Sequence, residues 1–524
     1  MDTSLHAFEI PPIIRKPSLE SASPWALYLA VALVLLAALE EALRLRHRLP
    51  VIKGPVGYPI FGNLLQLRPD PSEQLRRWGE KYGGVYQIMM GNTPVVVFNS
   101  MQAARDVFIG QGAALVDRPT FYTFHGVMTS VASTIGTTVW SDSLKKRRKA
   151  AASAMNRVAT ASYVPLINET TQDFISDLLQ RGDSGQVAFN PRRSILESIL
   201  DLTMTVNYGS RLPKEEGLFD ELIDVEDRVT RLRSVTGSYQ DYIPFMRWNP
   251  FNSKSSHAKE TNLRRLAYLH RFSDEHKQEM KVGKDKPCIQ GNILQDPDHK
   301  FTEVELTSIN MSMVSGGLDT LANSMAWTLG LLARRQDVQE VAYEAIIKAS
   351  GANGWGEAHG DVPYMGALVK ESLRYFSVLR LSQPRRAWRD IEYKGIFIPK
   401  GTTVYLNAWG CNRDKSYFGA DANDFRPERW LKEGDERLDH CAFGFGTRMC
   451  AASHLANRQL YIMIARLIWA FKIELSEDPS DNEWGIDPFL DSTEPDQFAA
   501  RPPLYKIRFV PRDINTLRAQ LEST

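Results

Sequence analysis

Cysteine is scarce in this sequence, and neither sign of charge prevails. Four cysteines stand in 524 residues, too scattered for a disulfide framework, and no two of them form the C-x-x-C pair that is typical of structural zinc sites. Free thiols in a reducing compartment are therefore expected. The 63 basic residues are balanced by 62 acidic ones, so the net charge of +1 gives no indication of nucleic-acid binding. The sequence has no internal repeat and no low-complexity tract, which excludes repeat architectures.

One hydrophobic run, near the N-terminus, is a candidate for a membrane-spanning segment. Its apolar core Trp25–Leu39 continues amphipathically to Leu45, whereas a span needs about 20 residues. A cleaved signal peptide is the alternative, but no small-residue cleavage site follows. Three arginines come next, and the positive-inside rule then leaves the rest of the chain in the cytosol. We predict a lumenal tail at 1–23, a transmembrane signal anchor at 24–45 and a cytosolic catalytic domain at 46–524.

The remaining pattern is mainly helical with a minor share of β-structure. A Pro/Gly segment at 49–62 cannot be helical and forms a stiff hinge after the anchor. The predicted elements are a helix at Ser72–Tyr82, a hairpin of strands at Val85–Met89 and Pro94–Phe98, mostly helix from about 100 to 280 with a loop at 120–140, a polar surface connection at 281–300, a long helix at Glu303–Arg335, a shorter helix at 361–376, strands at Ile391–Ile398 and Thr403–Leu406, and a helix from Ala451 to about Trp469.

The long helix carries two glycines in its interior. Thr302 and Glu305 fit a capping box at its start, and at 1.5 Å per residue it would form a rod of roughly 50 Å that crosses the whole body. Gly316 and Gly317 each cost about 1 kcal/mol against alanine at an interior helix position. They indicate either a tightly packed helix crossing or the close approach of another molecule.

The strongest motif is the string FGFGTRMC at Phe443–Cys450. Gly444 and Gly446 permit a backbone loop that approaches a metal and directs amide donors at a thiolate. The helix predicted directly after Cys450 would point its positive dipole end at the sulfur. A buried free cysteine after a glycine turn is the alternative for an isolated cysteine, and the complete string argues against it.

This string resembles the haem-binding signature of the cytochromes P-450, F-x-x-G-x-R-x-C-x-G, at every position except the last, where Ala452 stands in place of glycine. The resemblance implies that the Cys450 thiolate is the axial ligand of the haem b iron. It also implies that Phe443 and Gly444 belong to the loop that binds the cofactor. Arg448 is implied to donate a charged hydrogen bond to a haem propionate.

Glu371 and Arg374 form an E-x-x-R pair, which places both side chains on one helix face. Alone, such a pair indicates only a solvated face and contributes about 0.3–0.5 kcal/mol. The segment FRPERW at Phe425–Trp430 gives it weight. The resemblance to the cytochromes P-450 implies a buried triad of Glu371, Arg374 and Arg429, whose role is to hold the cysteine loop and not to take part in bond-making.

The string GGLDT at Gly316–Thr320 resembles the segment of this family that passes over the distal face of the haem. There the glycines leave room for dioxygen, and the loosened helix exposes backbone carbonyls. Thr320 is implied to hydrogen-bond the dioxygen, and Asp319 to feed protons for cleavage of the O–O bond. The family often has a second hydroxyl after the threonine, and this chain has Leu321, which leaves the details of the proton relay open.

The basic run KKRRK at Lys145–Lys149 is typical of a solvated face or of a nuclear signal. In the family, a helix here supplies an arginine to a propionate, four residues after a tryptophan. Arg148 has that spacing, although Leu144 occupies the tryptophan position, and whether Trp140 substitutes for it stays open. Arg386 is a third propionate candidate. The lysines of the run suit docking of an acidic electron donor.

The resemblance covers about 50–512 and includes Trp78–Gly84, Arg118-Pro119 and Ile398–Gly401. It implies a mainly α fold with a minor β-sheet, and haem between the long distal helix and the cysteine loop. The activity implied is a monooxygenase that inserts one oxygen atom from O2 into an apolar, aromatic-bearing small molecule of fungal secondary metabolism. Electrons would come from NADPH through a separate NADPH-cytochrome reductase in the endoplasmic reticulum membrane, since no G-x-G-x-x-G or flavin signature indicates a fused reductase.

A narrower likeness to fungal phenylacetate hydroxylases rests on Lys149–Asn156 (KAAASAMN), Arg448–Cys450 and Ser453–Asn457 (SHLAN). It gives the alternative of an arylacetate ring hydroxylase in aromatic catabolism. Such an acid would need a cation or a strong donor, for which His125 is the nearest candidate. A haem-thiolate isomerase or dehydratase would use the same cysteine but should lack the acid–threonine pair, and a catalytically silent haem protein would tolerate its loss.

The substrate pocket is the least defined prediction. The aromatic residues of the loop at 120–140 either line the pocket or merely pack the loop against the core, and the sequence leaves both possibilities open. The residues predicted to surround the substrate are Phe121, Tyr122, Phe124, Ser312, Ser315, Val378–Leu381 and Phe489.

Overall fold

A computed structural model describes residues 24–248, 253–296, 300–351, 355, 362–431 and 438–522. The predicted lumenal tail at 1–23 lies outside these residues. The described helices are α1 Pro24–His47, α2 Pro71–Tyr82, α3 Met101–Phe108, α4 Asp142–Ala154, α5 Arg157–Arg181, α6 Arg192–Tyr208, α7 Leu218–Leu232, α8 Lys254–Lys281, α9 Ile289–Leu294, α10 Glu303–Arg334, α11 Gln336–Ser350, α12 Pro363–Phe376, α13 Ala408–Cys411, α14 Lys415–Phe418, α15 Ser453–Ala470 and α16 Ile514–Glu522.

Short strands supply a minor β component, which confirms the predicted fold class. The described strands are β1 Val85–Met90, β2 Thr93–Phe98, β3 Arg385–Arg386, β4 Ile391–Tyr393, β5 Ile396–Ile398, β6 Thr403–Leu406, β7 Phe471–Leu475 and β8 Ile507–Pro511. The largest sheet has the order β1-β2-β6-β3, in which only the β2–β6 pair is parallel. The predicted hairpin is the β1–β2 pair, which turns at Gly91 with a φ of +56°.

Helix α1 stands apart from the core. Its apolar side chains from Trp25 to Leu39 are largely exposed, and a window of its 24 residues reaches a mean hydropathy of 2.1. Within the described part of the chain it is the one helix whose length and composition would allow it to cross a membrane. Near its end the buried Arg44 pairs with Glu41 of the same helix and donates to the Gly57 carbonyl oxygen of the following hinge over 3.5 Å.

Helix α10 forms the centre of the molecule. Thr302 and Glu305 make the predicted capping box, since the Thr302 hydroxyl accepts from the Glu305 amide and the Glu305 carboxylate accepts from the Thr302 amide. Most of the helix is buried against α6, α8, α12 and α15. Near its C-terminal end Trp327 stacks on Phe376 of α12, with ring centroids 5.0 Å apart. This packing fixes the C-terminal part of α10 against α12.

Three local predictions need correction. The single strand predicted at Ile391–Ile398 is a tight hairpin of β4 and β5, because Lys394 and Gly395 both adopt positive φ angles of 47° and 78°. The polar connection predicted at 281–300 contains helix α9, whose apolar residues pack against α4 and α6. The helix predicted to begin at Ala451 begins at Ser453.

Candidate haem-binding site

A cavity of about 270 Å³ lies between the middle of α10 and the loop that precedes α15. It brings together segments that lie more than a hundred residues apart in the sequence, as the family resemblance implied. The predicted site residues that line it are Gly316, Gly317, Asp319, Thr320, Arg148, Phe443, Gly444, Arg448 and Cys450.

Cys450 lies at the end of the loop that closes one side of the cavity. All four cysteines lie within the described part of the chain, and only Cys450 lines the cavity. Its side chain is accessible from the cavity, whereas the other three are buried. The loop needs Gly446, which has a φ of +64° and whose added Cβ would lie 1.9 Å from the Phe108 carbonyl oxygen. The Cys450 amide donates to the Phe443 carbonyl oxygen over 3.0 Å, which closes the loop.

The electrostatics of the thiol differ from the simple expectation of a helix dipole. Burial raises the pKa of Cys450, and the Ala452 amide and the charge of Arg148 offset this only in part. The helix of the cysteine loop begins two residues further on than predicted, which weakens its effect on the sulfur. A metal ion that replaces the thiol proton would offset this effect and favour the thiolate.

Four arginines line the cavity beside the cysteine loop: Arg118, Arg148, Arg385 and Arg448. Burial lowers the pKa of Arg448 to about 9, and the charges of Arg148 and Arg385 add to the effect. Burial and the charge of Arg148 likewise lower the pKa of Arg385 to about 9. Asp319 is the one carboxylate among the described lining residues, so this cationic cluster has little compensation within the cavity.

The arginines of this cluster donate hydrogen bonds to backbone carbonyls of the cavity wall, and some of their N–H groups remain unpaired. Arg448 donates to the carbonyl oxygens of Val116 and Gly136 over 2.7 and 3.1 Å, and Arg118 also donates to Gly136. Buried Nε of Arg448 and Nη1 of Arg385 have no hydrogen-bond partner among the described residues. Uncompensated guanidinium groups with free donors fit the two carboxylates of a haem, which are planar anions that arginine binds well.

Arg386 does not take the predicted place. Its guanidinium forms an ion pair with Asp117 over 2.6 Å, and it does not line the cavity in the described structure. Its neighbour Arg385 faces the cavity instead, because successive side chains of strand β3 point to opposite faces. Trp140 is also not a lining residue, and its ring lies beneath the Lys145 ammonium group.

Sequence reasoning missed Arg118 and Arg385 as site residues. Arg118-Pro119 matched the family, which was the available signal for the first. For Arg385 the alternation of a strand would have been a signal only if the facing direction of β3 had been known.

Arg148 contacts the cysteine loop directly. Its Nη2 donates to the carbonyl oxygens of Thr447 and Met449 over 3.3 and 3.0 Å. Arg147, its neighbour in the basic run, is buried and donates to the hydroxyl of Ser308 on α10. The run therefore splits into inward-facing arginines and outward-facing lysines, and it is more than a solvated face.

On the opposite wall, Thr320 and its surroundings leave open space. An added Cβ at Gly316 would meet no atom within 4 Å outside the local helix, whereas one at Gly317 would lie 3.0 Å from the Thr203 hydroxyl. The Thr320 hydroxyl donates to the Gly316 carbonyl oxygen over 2.6 Å. Helix α10 continues without interruption past both glycines, so the expected loosening of the helix is not seen. The opening at Gly316 comes from the missing side chain.

Asp319 points toward helix α7, where its carboxylate accepts a hydrogen bond from the Thr230 hydroxyl. Burial raises the pKa of Asp319, and the charges of Glu226 and Asp227 act in the same direction, while Thr230 and Arg501 oppose them. A carboxyl group whose pKa lies above its usual value can carry a proton closer to neutral pH. Asp319 and Thr320 therefore place a carboxyl group with a raised pKa beside a hydroxyl group at the cavity.

The three residues of the predicted triad are in contact. Arg374 binds both carboxylate oxygens of Glu371 over 2.8 and 2.7 Å, and Arg429 Nε donates to Glu371 Oε1 over 3.0 Å. Trp430 and the Arg426 amide complete the set of donors. All three charged side chains of the triad are nearly or fully buried. Burial raises the pKa of Glu371, but the hydrogen bonds and charges of the arginines outweigh it and leave the pKa below its ordinary value.

His125 and the aromatic residues Phe121 and Phe124 do not line this cavity, but they line a second, smaller cavity beside it. Burial lowers the pKa of His125 to about 4, so the ring is neutral at physiological pH, and its nitrogens are taken by the Phe121 amide and the Thr137 carbonyl. The predicted cation for an acidic substrate is therefore wrong. Phe124 is buried in a small apolar cluster, and Phe489 packs on Trp409 with centroids 4.9 Å apart. Of the pocket predictions, the residues that line the cavity are Ser312, Ser315, Val378 and Leu379.

Comparison with known proteins agrees with this geometry. The family model described as cytochrome P450 matches residues 52–500. The chain is 44% identical over 485 residues, which are 92% of each chain, to a 3-hydroxyphenylacetate 6-hydroxylase of Emericella nidulans. It is 39% identical to a phenylacetate 2-hydroxylase of the same organism, over 89% of this chain and 92% of the relative. It is also 39% identical to a cytochrome P450 monooxygenase of Mycosarcoma maydis, over 88% and 87% of the two chains. Members of this family bind haem and receive electrons from a redox partner. The chain belongs to the cytochrome P450 family of monooxygenases.

Proposed function

We propose that this enzyme hydroxylates the aromatic ring of an arylacetate. The observation that carries the proposal is its identity of 44% and 39%, over about nine-tenths of the chain, to two relatives whose names describe ring hydroxylation of arylacetates. The broader prediction, an apolar aromatic-bearing substrate of secondary metabolism, is compatible with the same fold and stays a prediction.

The haem would be held between Cys450 and helix α10. The Cys450 sulfur would ligate the haem iron, with Phe443 and Gly444 forming the adjacent loop, and the guanidinium groups of the arginine cluster would bind the propionates. Support comes from the thiol that faces the cavity and from the free donors of Arg385 and Arg448. When bound, the haem supplies the reductive activation of dioxygen and the transfer of one oxygen atom.

On the opposite side of the cavity, Thr320 and Asp319 of α10 would supply hydrogen bonds and protons. The Thr320 hydroxyl donates to the Gly316 carbonyl oxygen, and it would release that bond to donate into the space that Gly316 leaves open. Asp319 would carry protons from the α7 side, supported by its raised pKa. In the overall reaction one oxygen atom of O2 enters a ring C–H bond as a hydroxyl group, and the other leaves as water with two electrons and two protons.

We further propose that the triad of Glu371, Arg374 and Arg429 holds the segment behind the cysteine loop. The electrons would come from NADPH through a separate reductase, which would dock on the exposed lysines of the basic run. Helix α1 would anchor the enzyme in the endoplasmic reticulum membrane as a single span, with the catalytic domain in the cytosol. The apolar, exposed surface of α1 supports the anchor.

The test uses the full chain, reconstituted with haem and a NADPH-dependent reductase. Phenylacetate and 3-hydroxyphenylacetate should shift the haem to high spin, and 18O2 should label one hydroxyl oxygen of the product. The absence of a spectral shift with every arylacetate, together with a shift by a larger polycyclic metabolite, would contradict the proposal and favour a tailoring enzyme of secondary metabolism.

A further inference from the structure

Arg233 differs from the other arginines of the cavity. It follows α7 directly as its C-cap residue, one turn after Thr230, which donates to Asp319. The four arginines of the cluster contact the cysteine loop or the segments beside it, whereas Arg233 belongs to the α7 side of the cavity. It also lines a second, smaller cavity together with Phe498, so both side chains stand where the two spaces adjoin.

The Arg233 guanidinium has no ion-pair partner among the described residues, and its side chain makes no hydrogen bond with them. The charges of Glu226 and Asp319 act on it only from a distance, since these carboxylates are bound by Arg265 and Thr230. Its neighbours are two aromatic rings, since its Cζ lies 4.0 Å from the ring centroid of Phe498 and 5.8 Å from that of Phe124. A guanidinium that lies over a ring keeps its in-plane N–H donors available. Burial lowers the pKa of Arg233 to about 10, so the group is still cationic at neutral pH.

Other cations on this side already have partners. Arg265 is fully buried and binds Glu226 over 2.9 Å, and it also donates to Ser315. Arg501 is paired with Asp227 and Glu494. With His125 neutral and used by the backbone, Arg233 is the cation that remains for an acidic ligand among the described residues of this wall.

We infer that Arg233 binds the carboxylate of the substrate and thereby fixes which ring carbon is hydroxylated. The inference rests on the proposed function, since an arylacetate is a flat aromatic ring with one carboxylate. The planar fork of arginine matches that carboxylate in a two-pronged hydrogen bond, and Phe498 offers an aromatic face beside it. Arg233 follows the turn of α7 that contacts Asp319, so a carboxylate bound to it would lie on the side of α10. The names of both related hydroxylases describe hydroxylation at a ring carbon next to the one that carries the acetate side chain. Binding of the substrate through its carboxylate agrees with that position.

The first test compares ligands on the unaltered full-length haem protein. Phenylacetate and phenylacetamide have the same shape, but only the first is an anion at pH 7. Spin-state titrations should give a Kd for phenylacetamide at least about 30-fold weaker, which corresponds to about 2 kcal/mol. Equal Kd values for the two ligands would overturn the anchoring role without any substitution.

The second test uses variants of helix α7 and its cap. Arg233→Gln should weaken phenylacetate binding by at least about 30-fold, leave phenylacetamide unchanged and spread hydroxylation over several ring positions, while Arg233→Lys should lie between it and the wild type. Arg228→Gln is the matched control, because Arg228 pairs with Asp224 on the outer side of the same helix. The red-shifted Soret band of the carbon monoxide complex verifies that each variant is loaded.

The outcomes separate the inference from the proposed function. If the wild type gives no spin shift and no product with any arylacetate, the proposed function fails and takes the inference with it. If the wild type binds phenylacetate and Arg233→Gln binds it with the same Kd and the same product pattern, only the role of Arg233 fails. A weaker Kd in both Arg233→Gln and Arg228→Gln would also overturn it, since a general effect of the helix charge would then explain the result.

Discussion

Neutralising Glu371 should remove most of the haem-loaded protein while barely changing the shape of the side chain. The Glu371 carboxylate accepts from two nitrogens of Arg374, from Arg429, from the Trp430 indole and from the Arg426 amide. In Glu371→Gln, one oxygen becomes an amide nitrogen that faces donors. Two fully or nearly fully buried guanidinium groups also lose their shared countercharge.

The magnitude follows from the burial of the pair. Breaking a buried ion pair by removing one partner costs about 3–5 kcal/mol, and a domain is stabilised by only about 5–15 kcal/mol in total. The ratio of unfolded to folded protein should therefore rise by roughly 200- to 5,000-fold. Arg374 should keep its cation–π contact with Phe418 and its bonds to three backbone carbonyls in the variant, which limits the loss.

The effect should depend on pH with a defined sign. Because the pKa of Glu371 is depressed in the folded protein, its contribution is fully present above the unfolded-state pKa of about 4.3. It is lost as the pH falls through the lower folded-state pKa. The stability difference between wild type and Glu371→Gln should thus be constant near neutral pH and shrink only in strong acid.

The assay is haem content per total protein, read from the carbon monoxide difference spectrum, together with the half-life of that spectrum on heating. Glu80→Gln is the control, because Glu80 pairs with Arg76 at helical spacing on the exposed surface of α2. That pair should contribute about 0.5 kcal/mol or less. Normal haem content and half-life in Glu371→Gln would refute the reasoning and show that the buried cluster does not hold the cysteine loop.

Three further predictions concern the cavity and the anchor. Cys450→Ser should abolish the red-shifted Soret band of the carbon monoxide complex. If the band survives in Cys450→Ser but is lost when Cys441 is changed, Cys441 is the ligand and the assignment of Cys450 is wrong. Thr320→Ala should keep haem and substrate binding but divert reducing equivalents to hydrogen peroxide, because the hydroxyl acts on protons and does not hold the cofactor; full coupling of NADPH consumption to product would contradict this. Removal of residues 1–45 should shift the enzyme from microsomes to the soluble or peripheral fraction with its haem spectrum unchanged, whereas protection of the catalytic domain from protease in intact microsomes would contradict the cytosolic orientation.

Features that depend on short spacings could be predicted from the sequence. The capping box at Thr302, the β1–β2 hairpin and the loop that ends at Cys450 follow from a few neighbouring residues, because hydrogen bonds and glycine conformations act locally. The E-x-x-R pair was visible for the same reason, since a helix places residues three apart on one face. The burial of this pair could not be predicted from the spacing, because it depends on the packing of α12 against the segment that carries Arg429.

Tertiary structure decided which charged groups face the cavity. Arg385 and Arg386 are neighbours, yet only the first lines the cavity, because the sheet fixes which face of β3 points inward. His125 had the right chemistry for an anion but was desolvated to a neutral ring by the loop around it. Arg233 carries no motif, and its proposed role depends on the fold, which places it at the end of α7 without an ion-pair partner among the described residues. Sequence spacing cannot give such facts, since burial and electrostatic compensation depend on segments that are distant in the chain.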